Sequence, residues 1–275
     1  MADNYFEANT NEGKVQIDDN TSVYHFVYAE KLGKYFQYTS NHNFGDSVTG
    51  GGSHTGYFYQ ITTGDNNNED IYLIGNPSDD PVCVWTNYTC IRYSVVEPSW
   101  KEYWYSWLRG FWVLVHDCTK EQADNLVVYK FSKKVPVDGN CGLECYNADG
   151  EKTFASYVYP LKILGFYQNI HTTSNEVVWT GNWNMMSPEY NFNVPIAVWM
   201  LQQAGGGTDG ERLGEANITH FYLSRKFVKL AWLTWWTGEH ETVHQKYYYW
   251  QSIQNKYGGV SQYIIANVEH LPISE

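Results

Sequence analysis

Short runs of β-branched and aromatic residues recur along this chain, separated by clusters of Gly, Asn, Asp and Ser. The first half holds SVYHFVYA, KYFQYT, GYFYQIT, DIYLIG, PVCVWT, TCIRYSVV, RGFWVLVH and NLVVYKF. The second half holds KTFASYVYPLKILGF, EVVWTGN, PIAVWML, HFYLSRKFVKLAWLTWW, KYYYW and QYIIANV. Many of these runs alternate with period two, as half-buried antiparallel strands do, because successive side chains of a strand point to opposite faces. In the run around Phe36, Tyr35 and Gln37 share one face while Phe36 and Tyr38 share the other. The breaks GDNNNED (64–70) and AGGGTDG (204–210) read as turns. Helical patterning is scarce. Thr119-Lys-Glu-Gln122 has capping-box spacing and opens one short helix before a strand at Leu126. The pattern predicts a mainly β, antiparallel, sandwich-like protein with one or two short helices.

The pattern also repeats. A shift of 137 residues carries YFEANTNEGKVQIDDNTSVYHF (5–26) onto GLECYNADGEKTFASYVYPLKI (142–163), so that Gly13 falls on Gly150, Ile17 on Phe154 and Tyr24 on Leu161. The same shift carries LVVYKF (126–131) onto YIIANV (263–268), while the middles of the halves match poorly. The physical reading is a turn at Asn-x-x-Gly, written out at Asn147–Gly150 and matched by Thr10–Gly13 in the first copy, that joins two short strands before a third, alternating strand. The expected organisation is a β domain over 1–131, a tether at 132–141, and a second β domain over 142–275.

Composition narrows the function. Hydrophobic residues are 43% of the chain and aromatics 17%, with 24 Tyr, 12 Trp and 12 Phe, while charged residues are only 17%. A disordered segment lacks such aromatics. A formal charge of −12 and a pI near 5.1 argue against a broad basic surface for nucleic acid. No run approaches the roughly 18 apolar residues of a membrane-spanning helix, and acids occupy the N-terminal stretch where a signal peptide needs basic and then apolar residues. A soluble protein made in a cytoplasm is expected. The five Cys are scattered, and Cys141 and Cys145 lack a second pair or a nearby His, so buried thiols are expected rather than zinc ligands.

The segment GLECYNADGEKTFAS, followed by the YPLKI strand, resembles a module common in bacteriophage and prophage tail proteins. That module reads Gly-Leu-x-hydrophobic-aromatic-Asn-x-x-Gly-x-x-x-Phe-x-Ser and often follows a flexible tether, which here would be SKKVPVDGNC (132–141). Ala155 stands where the module usually has Asp or Asn, and the copy at the N-terminus, EANTNEGKVQIDD, fits more loosely. The match spans about 25 residues in each copy. In that family the segment is structural and carries no known catalytic residue. The resemblance implies a virion protein near the tail tip, baseplate or fibre, oligomeric or packed against other tail proteins. It implies neither a cofactor nor an enzymatic role.

Other motifs are weighed against this. His240-Glu241-Thr242-Val243-His244 spells the H-E-x-x-H zinc-hydrolase signature, which requires a helix to bring both His onto one ion. Its flanks, TWWTG and KYYYW, read as turn and strand; in a strand His240 and His244 would lie about 13 Å apart, too far to share a metal. They are rejected as ligands. Gly50-Gly51-Gly52 and Gly205-Gly206-Gly207 lack the Lys-Ser/Thr of a phosphate loop and read as turns. Asp65 to Asp70 offers oxygens for calcium, but Asp70 stands where that loop needs Gly.

The Trp clusters PSWKEYWYSWLRGFW and AWLTWW leave three uses open: packing against a subunit, an ordinary core, or stacking on sugar rings. Trp104, Trp107, Trp235 and Trp236 are the candidates for a subunit or glycan contact. A tail component that self-assembles is the first expectation, and a carbohydrate-binding adhesin the second.

Overall fold

The computed structural model describes residues 5–10, 13–18, 23–43, 53–62, 70–94, 105–116, 118–135, 142–147, 149–171, 184–185, 189–202, 205–209, 214–237 and 259–274. The first half carries β1 (Tyr5–Thr10), β2 (Gly13–Asp18), β3 (His25–Lys31), a 3-10 turn (Leu32–Lys34), β4 (Phe36–Asn43) and β5 (Ser53–Thr62). It continues with β6 (Asp70–Gly75), β7 (Val82–Ser94), β8 (Tyr105–His116), helix α1 (Lys120–Asn125) and β9 (Val127–Ser132). The second half carries β10 (Glu144–Tyr146), β11 (Lys152–Ala155), β12 (Lys162–His171), β13 (Asn184–Met185) and β14 (Tyr190–Asn191). It ends with β15 (Ile196–Gln202), β16 (Gly205–Asp209), β17 (Gly214–Leu223), β18 (Phe227–Thr237) and β19 (Gly259–Asn267). The protein is mainly β and antiparallel, as the alternation predicts.

Among the described residues one α-helix forms, where its capping box lies. Gln122 donates its backbone N–H to Thr119 Oγ1 at 3.2 Å, and Thr119 returns its own N–H to the Gln122 side chain at 2.8 Å. Six residues are too few for a helix to stand alone. Burial of Ala123 and a 2.8 Å hydrogen bond from the Tyr59 hydroxyl to Asp124 hold it. The Gly-rich break after Gln202 departs from expectation: Gly205–Asp209 is strand β16, paired with β17 from Gly205–Ile218 to Asp209–Gly214. Ladder hydrogen bonds use only backbone, so a glycine run can pair when its partner strand is in place.

Two large sheets face each other. One has the order β12-β19-β15-β6-β9-β3; the other runs β13-β18-β17-β7-β8-β5-β4, with β14 also on β18 and β16 on β17. The main core fills the space between them. Tyr59, Ile61, Val84, Val113, Phe221 and Leu230 of the larger sheet meet Ile74, Val128, Val198, Tyr263 and Ile265 of the six-stranded one. A second cluster, including Phe26, Leu73, Tyr129, Phe131 and Ala266, lies on the opposite face of the six-stranded sheet.

The halves expected as two domains share both sheets. β6 pairs with β15 through Gly75–Ala197 and Ile74–Val198, and β7 pairs with β17 through Val84–Phe221, Cys83–Tyr222 and Val82–Leu223. The boundary at 132–141 therefore does not separate two independent folds: hydrogen-bonded ladders and one core cross it.

The strand order of the six-stranded sheet can be set beside the 137-residue shift. The order is palindromic, β3-β9-β6 joined to β15-β19-β12. In one unit Phe26 pairs with Phe131 and Tyr28 with Lys130, leaving Val27 bulged out; in the other Ile163 pairs with Ala266 and Gly165 with Ile265, leaving Leu164 bulged out. Val27 and Leu164 are related by the 137-residue shift. Phe131, the partner of Phe26, thus corresponds to Ala266, the partner of Ile163, a shift of 135 for β9 onto β19 instead of 137. Each unit is also preceded by a two-stranded hairpin, β1–β2 or β10–β11.

The sheet curls until its edges touch. Phe26 donates its N–H to the Tyr159 carbonyl and Leu161 to the Tyr24 carbonyl, both at 2.8 Å. Lys162, the next residue, already pairs with Asn267 at the far side of the sheet.

Candidate functional site: the hairpin module and the open sheet edge

Each residue of the tail-protein pattern has a local structural task in the β10–β11 hairpin. Asn147 Oδ1 accepts the backbone N–H of Asp149 at 3.1 Å and of Glu151 at 2.8 Å, closing the turn. Gly150 completes it with φ of 80°, a conformation that disfavours any side chain. Gly142 has φ of 134°, and a Cβ there would lie 2.7 Å from Ser156 Oγ. Leu143 and Ser156 then lock the base: Leu143 N–H donates to Ser156 Oγ and Ser156 N–H to the Leu143 carbonyl, both at 2.9 Å.

A polar cluster ties the two strands together. Lys152 Nζ lies 2.7 Å from Glu144 Oε1 and 3.0 Å from the Tyr157 hydroxyl, and the Tyr146 hydroxyl donates to Glu144 Oε2 at 2.5 Å. Tyr157 also hydrogen-bonds Glu144. Hydrogen bonds from Lys152, Tyr146 and Tyr157 hold the Glu144 pKa down at about 2, so the carboxylate stays charged through the whole neutral range. The Lys152 ammonium also lies over the rings of Tyr146 and Tyr157, at 5.9 and 5.7 Å from their centroids.

The hairpin docks on the first half of the chain. Phe154 sits against His25 of β3 with ring centroids 6.1 Å apart, and Pro160 bridges to His25 through the seam described above. His25 is fully buried, and neither ring nitrogen makes a well-formed hydrogen bond. Burial pulls its pKa below 6.5, and the backbone of Val23 offsets only part of that.

On β9, Lys130 is held between aromatic rings. Its ammonium lies 5.9 Å from the Tyr28 ring centroid and 5.7 Å from that of Tyr72, with Asp70 at 2.8 Å. Asp70, the residue that stands where a calcium loop needs Gly, serves this ion pair. Beside it the Tyr35 hydroxyl donates to Glu30 at 3.0 Å; burial is the largest cause of the upward shift of the Tyr35 pKa, followed by its hydrogen bond with Tyr28. A groove of about 380 Å³ opens near Tyr129, Pro195, Ile196, Arg225 and Leu271, where the C-terminal segment crosses the sheet.

Among the described residues, three exposed large hydrophobic side chains sit together on β12. Ile163 is 54% exposed, Leu164 39% and Phe166 55%. β12 pairs with β19 on one side, and among the described residues no strand pairs along its other side. Exposed apolar side chains on an unpaired edge are unusual in a monomer, because such an edge is a template for another strand.

The Trp candidates resolve only in part. Trp107 stands opposite Arg92 in the β7–β8 ladder, Trp235 opposite Ala216 and Trp236 opposite Glu215 in the β17–β18 ladder. Their side chains, and Trp104, lie outside the described residues, as do His240, His244 and Cys141. Cys145 of β10 carries a free, half-buried thiol. Among the described residues no group of three or more His, Cys, Asp or Glu is placed to hold a metal ion, and no helix is long and apolar enough to cross a membrane. The Glu144–Lys152 pair and the Phe166 edge escaped the sequence reading. The first needed the hairpin register, and the second needed to know which strand ends the sheet. Comparison with family models, curated proteins and solved structures finds no match for this chain.

Proposed function

We propose that this chain is a non-enzymatic structural protein of a bacteriophage or prophage tail, residing in the virion and packing against neighbouring tail proteins. The observation that carries the reading is the hairpin. Gly142, Leu143, Asn147, Gly150 and Ser156, residues that define the resemblance to the tail module, all serve its turn or its base. A motif whose residues stabilise a fold, and point at no substrate, belongs to a structural role. The exposed apolar edge of β12 supports assembly, since burial of apolar surface is worth roughly 25 cal/mol per Å². Attachment to a host glycan through the Trp-rich strands is a secondary role within the same reading.

The test is localisation. Purified phage particles from a lysogen or lysate encoding this chain should contain it by mass spectrometry, and gold-labelled antibody should mark the tail. A chain absent from purified particles and present only in the cell extract would overturn the proposal.

A further inference from the structure

The groove of about 380 Å³ lies where the two halves of the chain meet, and two of its polar groups are left unused by the fold. Tyr129 of β9 lines it and is only 5% exposed. Its ring lies so close to Gly75 that a Cβ there would come within 2.9 Å of Tyr129 Cε2. Among the described residues the Tyr129 hydroxyl has no hydrogen-bond partner. Burial alone pushes its pKa up to about 12, so it remains a donor at neutral pH. A buried hydroxyl without a partner is uncommon and calls for one from outside the chain.

Arg225 lines the same groove from the tight turn between β17 and β18. Its backbone is pinned on both sides: the N–H donates to the Ser78 carbonyl at 2.7 Å, and the carbonyl accepts the Ile196 N–H at 2.9 Å. Its guanidinium makes no ion pair or hydrogen bond among the described residues, in a chain with 30 acids to 18 bases. The C-terminal segment adds Glu269 and His270, both exposed. His270 has φ of 68°, the one positive φ outside glycine among the described residues. Such backbone persists where its surroundings fix it. Here Val268 N–H donates to the Pro195 carbonyl at 3.1 Å and Glu269 N–H to Asn267 Oδ1 at 2.8 Å. Pro77, Pro195, Ile196, Leu271 and Ile273 supply the apolar lining.

We propose that this groove binds an acidic sugar of the hexuronate type, its carboxylate on the Arg225 guanidinium and a ring oxygen accepting from the Tyr129 hydroxyl. The planar fork of an arginine matches a carboxylate with two hydrogen bonds. Glu269 accepts from neutral sugar hydroxyls, whereas it repels the extra charge of a phosphate or an acidic peptide. The carbon face of the ring meets the proline and aliphatic lining. The volume stands at the low end of the roughly 300–1,000 Å³ of small-ligand sites, room for one ring. Residues of both halves form the groove, so it exists only in the interlocked chain. It is separate from the Trp-rich strands and does not depend on residence in a tail.

The probe is sodium glucuronate, titrated into isotope-labelled full-length protein and read by amide shifts in NMR. Glucose, acetate, inorganic phosphate and N-acetylaspartate, the last standing in for an acidic peptide, are separate arms. Saturable shifts at Ile196, Arg225 and residues 268–273 are expected with glucuronate, and binding at least tenfold weaker in every other arm. Arg225→Gln should weaken glucuronate about tenfold or more and Tyr129→Phe about threefold or more, as loss of a charged and a neutral hydrogen bond does. Neither substitution removes an internal hydrogen bond, so both variants should keep the wild-type melting temperature. A merely structural Tyr129 would leave glucuronate binding unchanged in Tyr129→Phe, and that result overturns the proposal. So does the absence of saturable shifts up to about 50 mM glucuronate. Equal binding of glucose would show the carboxylate unread, and equal binding of acetate or phosphate a general anion contact; each overturns it. Tighter binding of N-acetylaspartate would give the groove to an acidic peptide instead. Glucuronate shifts confined to the Trp-rich strands would place the sugar elsewhere and overturn it equally.

Discussion

The amide of Leu161 hydrogen-bonds the carbonyl of Tyr24 at 2.8 Å, and these two residues are each other's counterparts in the two halves of the chain. A contact between a residue and its own counterpart is what a local two-fold produces. The β6–β15 pair provides the second such junction, on the other side of the same sheet. Together they make the halves one folding unit.

Neither half should fold alone. Residues 1–131 and 142–275, expressed separately, are expected to show no cooperative thermal or urea transition, because each loses β6–β15, β7–β17 and part of the shared core. Mixing the two fragments should restore a transition. A sharp, protein-like melt from either fragment by circular dichroism would contradict the shared-sheet account.

Gly75 sits at the junction of the units. A Cβ there would meet Tyr129 Cε2 at 2.9 Å and the Ile196 carbonyl oxygen at 3.1 Å, and the second of these is backbone that cannot move aside. Gly75→Val should therefore lower stability by about 1–3 kcal/mol, the usual range for overpacking, read as a lower urea midpoint at unchanged slope.

His25 makes stability depend on pH. Its folded pKa lies below 6.5, so the unfolded chain binds the proton more readily, and stability present above pH 6.5 is lost as the pH falls below it. Melting temperature should drop between pH 7 and 5 in the wild type. His25→Phe keeps a ring against Phe154 and should flatten that part of the profile. An unchanged profile would show that other groups carry it.

Glu144 titrates lower still. With a folded pKa of about 2 against an ordinary 4.5, its contribution is present above pH 4.5 and is lost as the pH falls through about 2. Carboxyl chemical shifts in NMR should report that low midpoint, and Lys152→Met should move it upward. The hairpin forms a sheet of its own, so the variant should raise hydrogen exchange within 144–155 and leave the global melt nearly unchanged.

Buried Tyr59 donates its hydroxyl to Asp124, a partly exposed residue of the six-residue helix. Tyr59→Phe should cost about 1.5–3 kcal/mol, the range for a hydrogen bond to a charged group. A double-mutant cycle with Asp124→Ala should return most of that as coupling.

By itself the sequence determined what depends on neighbours along the chain. Alternation gave the strands, Thr119 and Gln122 gave the helix start, and Asn147 with Gly150 gave the turn, because each is set by contacts a few residues apart. Long-range pairing was another matter. A slip of two residues between β9 and β19 keeps every side chain on its own face, so the hydrophobic pattern cannot distinguish a 137-residue shift from one of 135. The glycines of β16 carry no pattern at all, and only the presence of β17 made them a strand. Nor does the sequence show that two similar halves interlock, since two separate sandwiches would read the same. Tertiary structure decided that Phe26 is buried against Phe131 and Tyr159 while Ile163 of β12 is exposed, because the residues that cover a strand come from far along the chain.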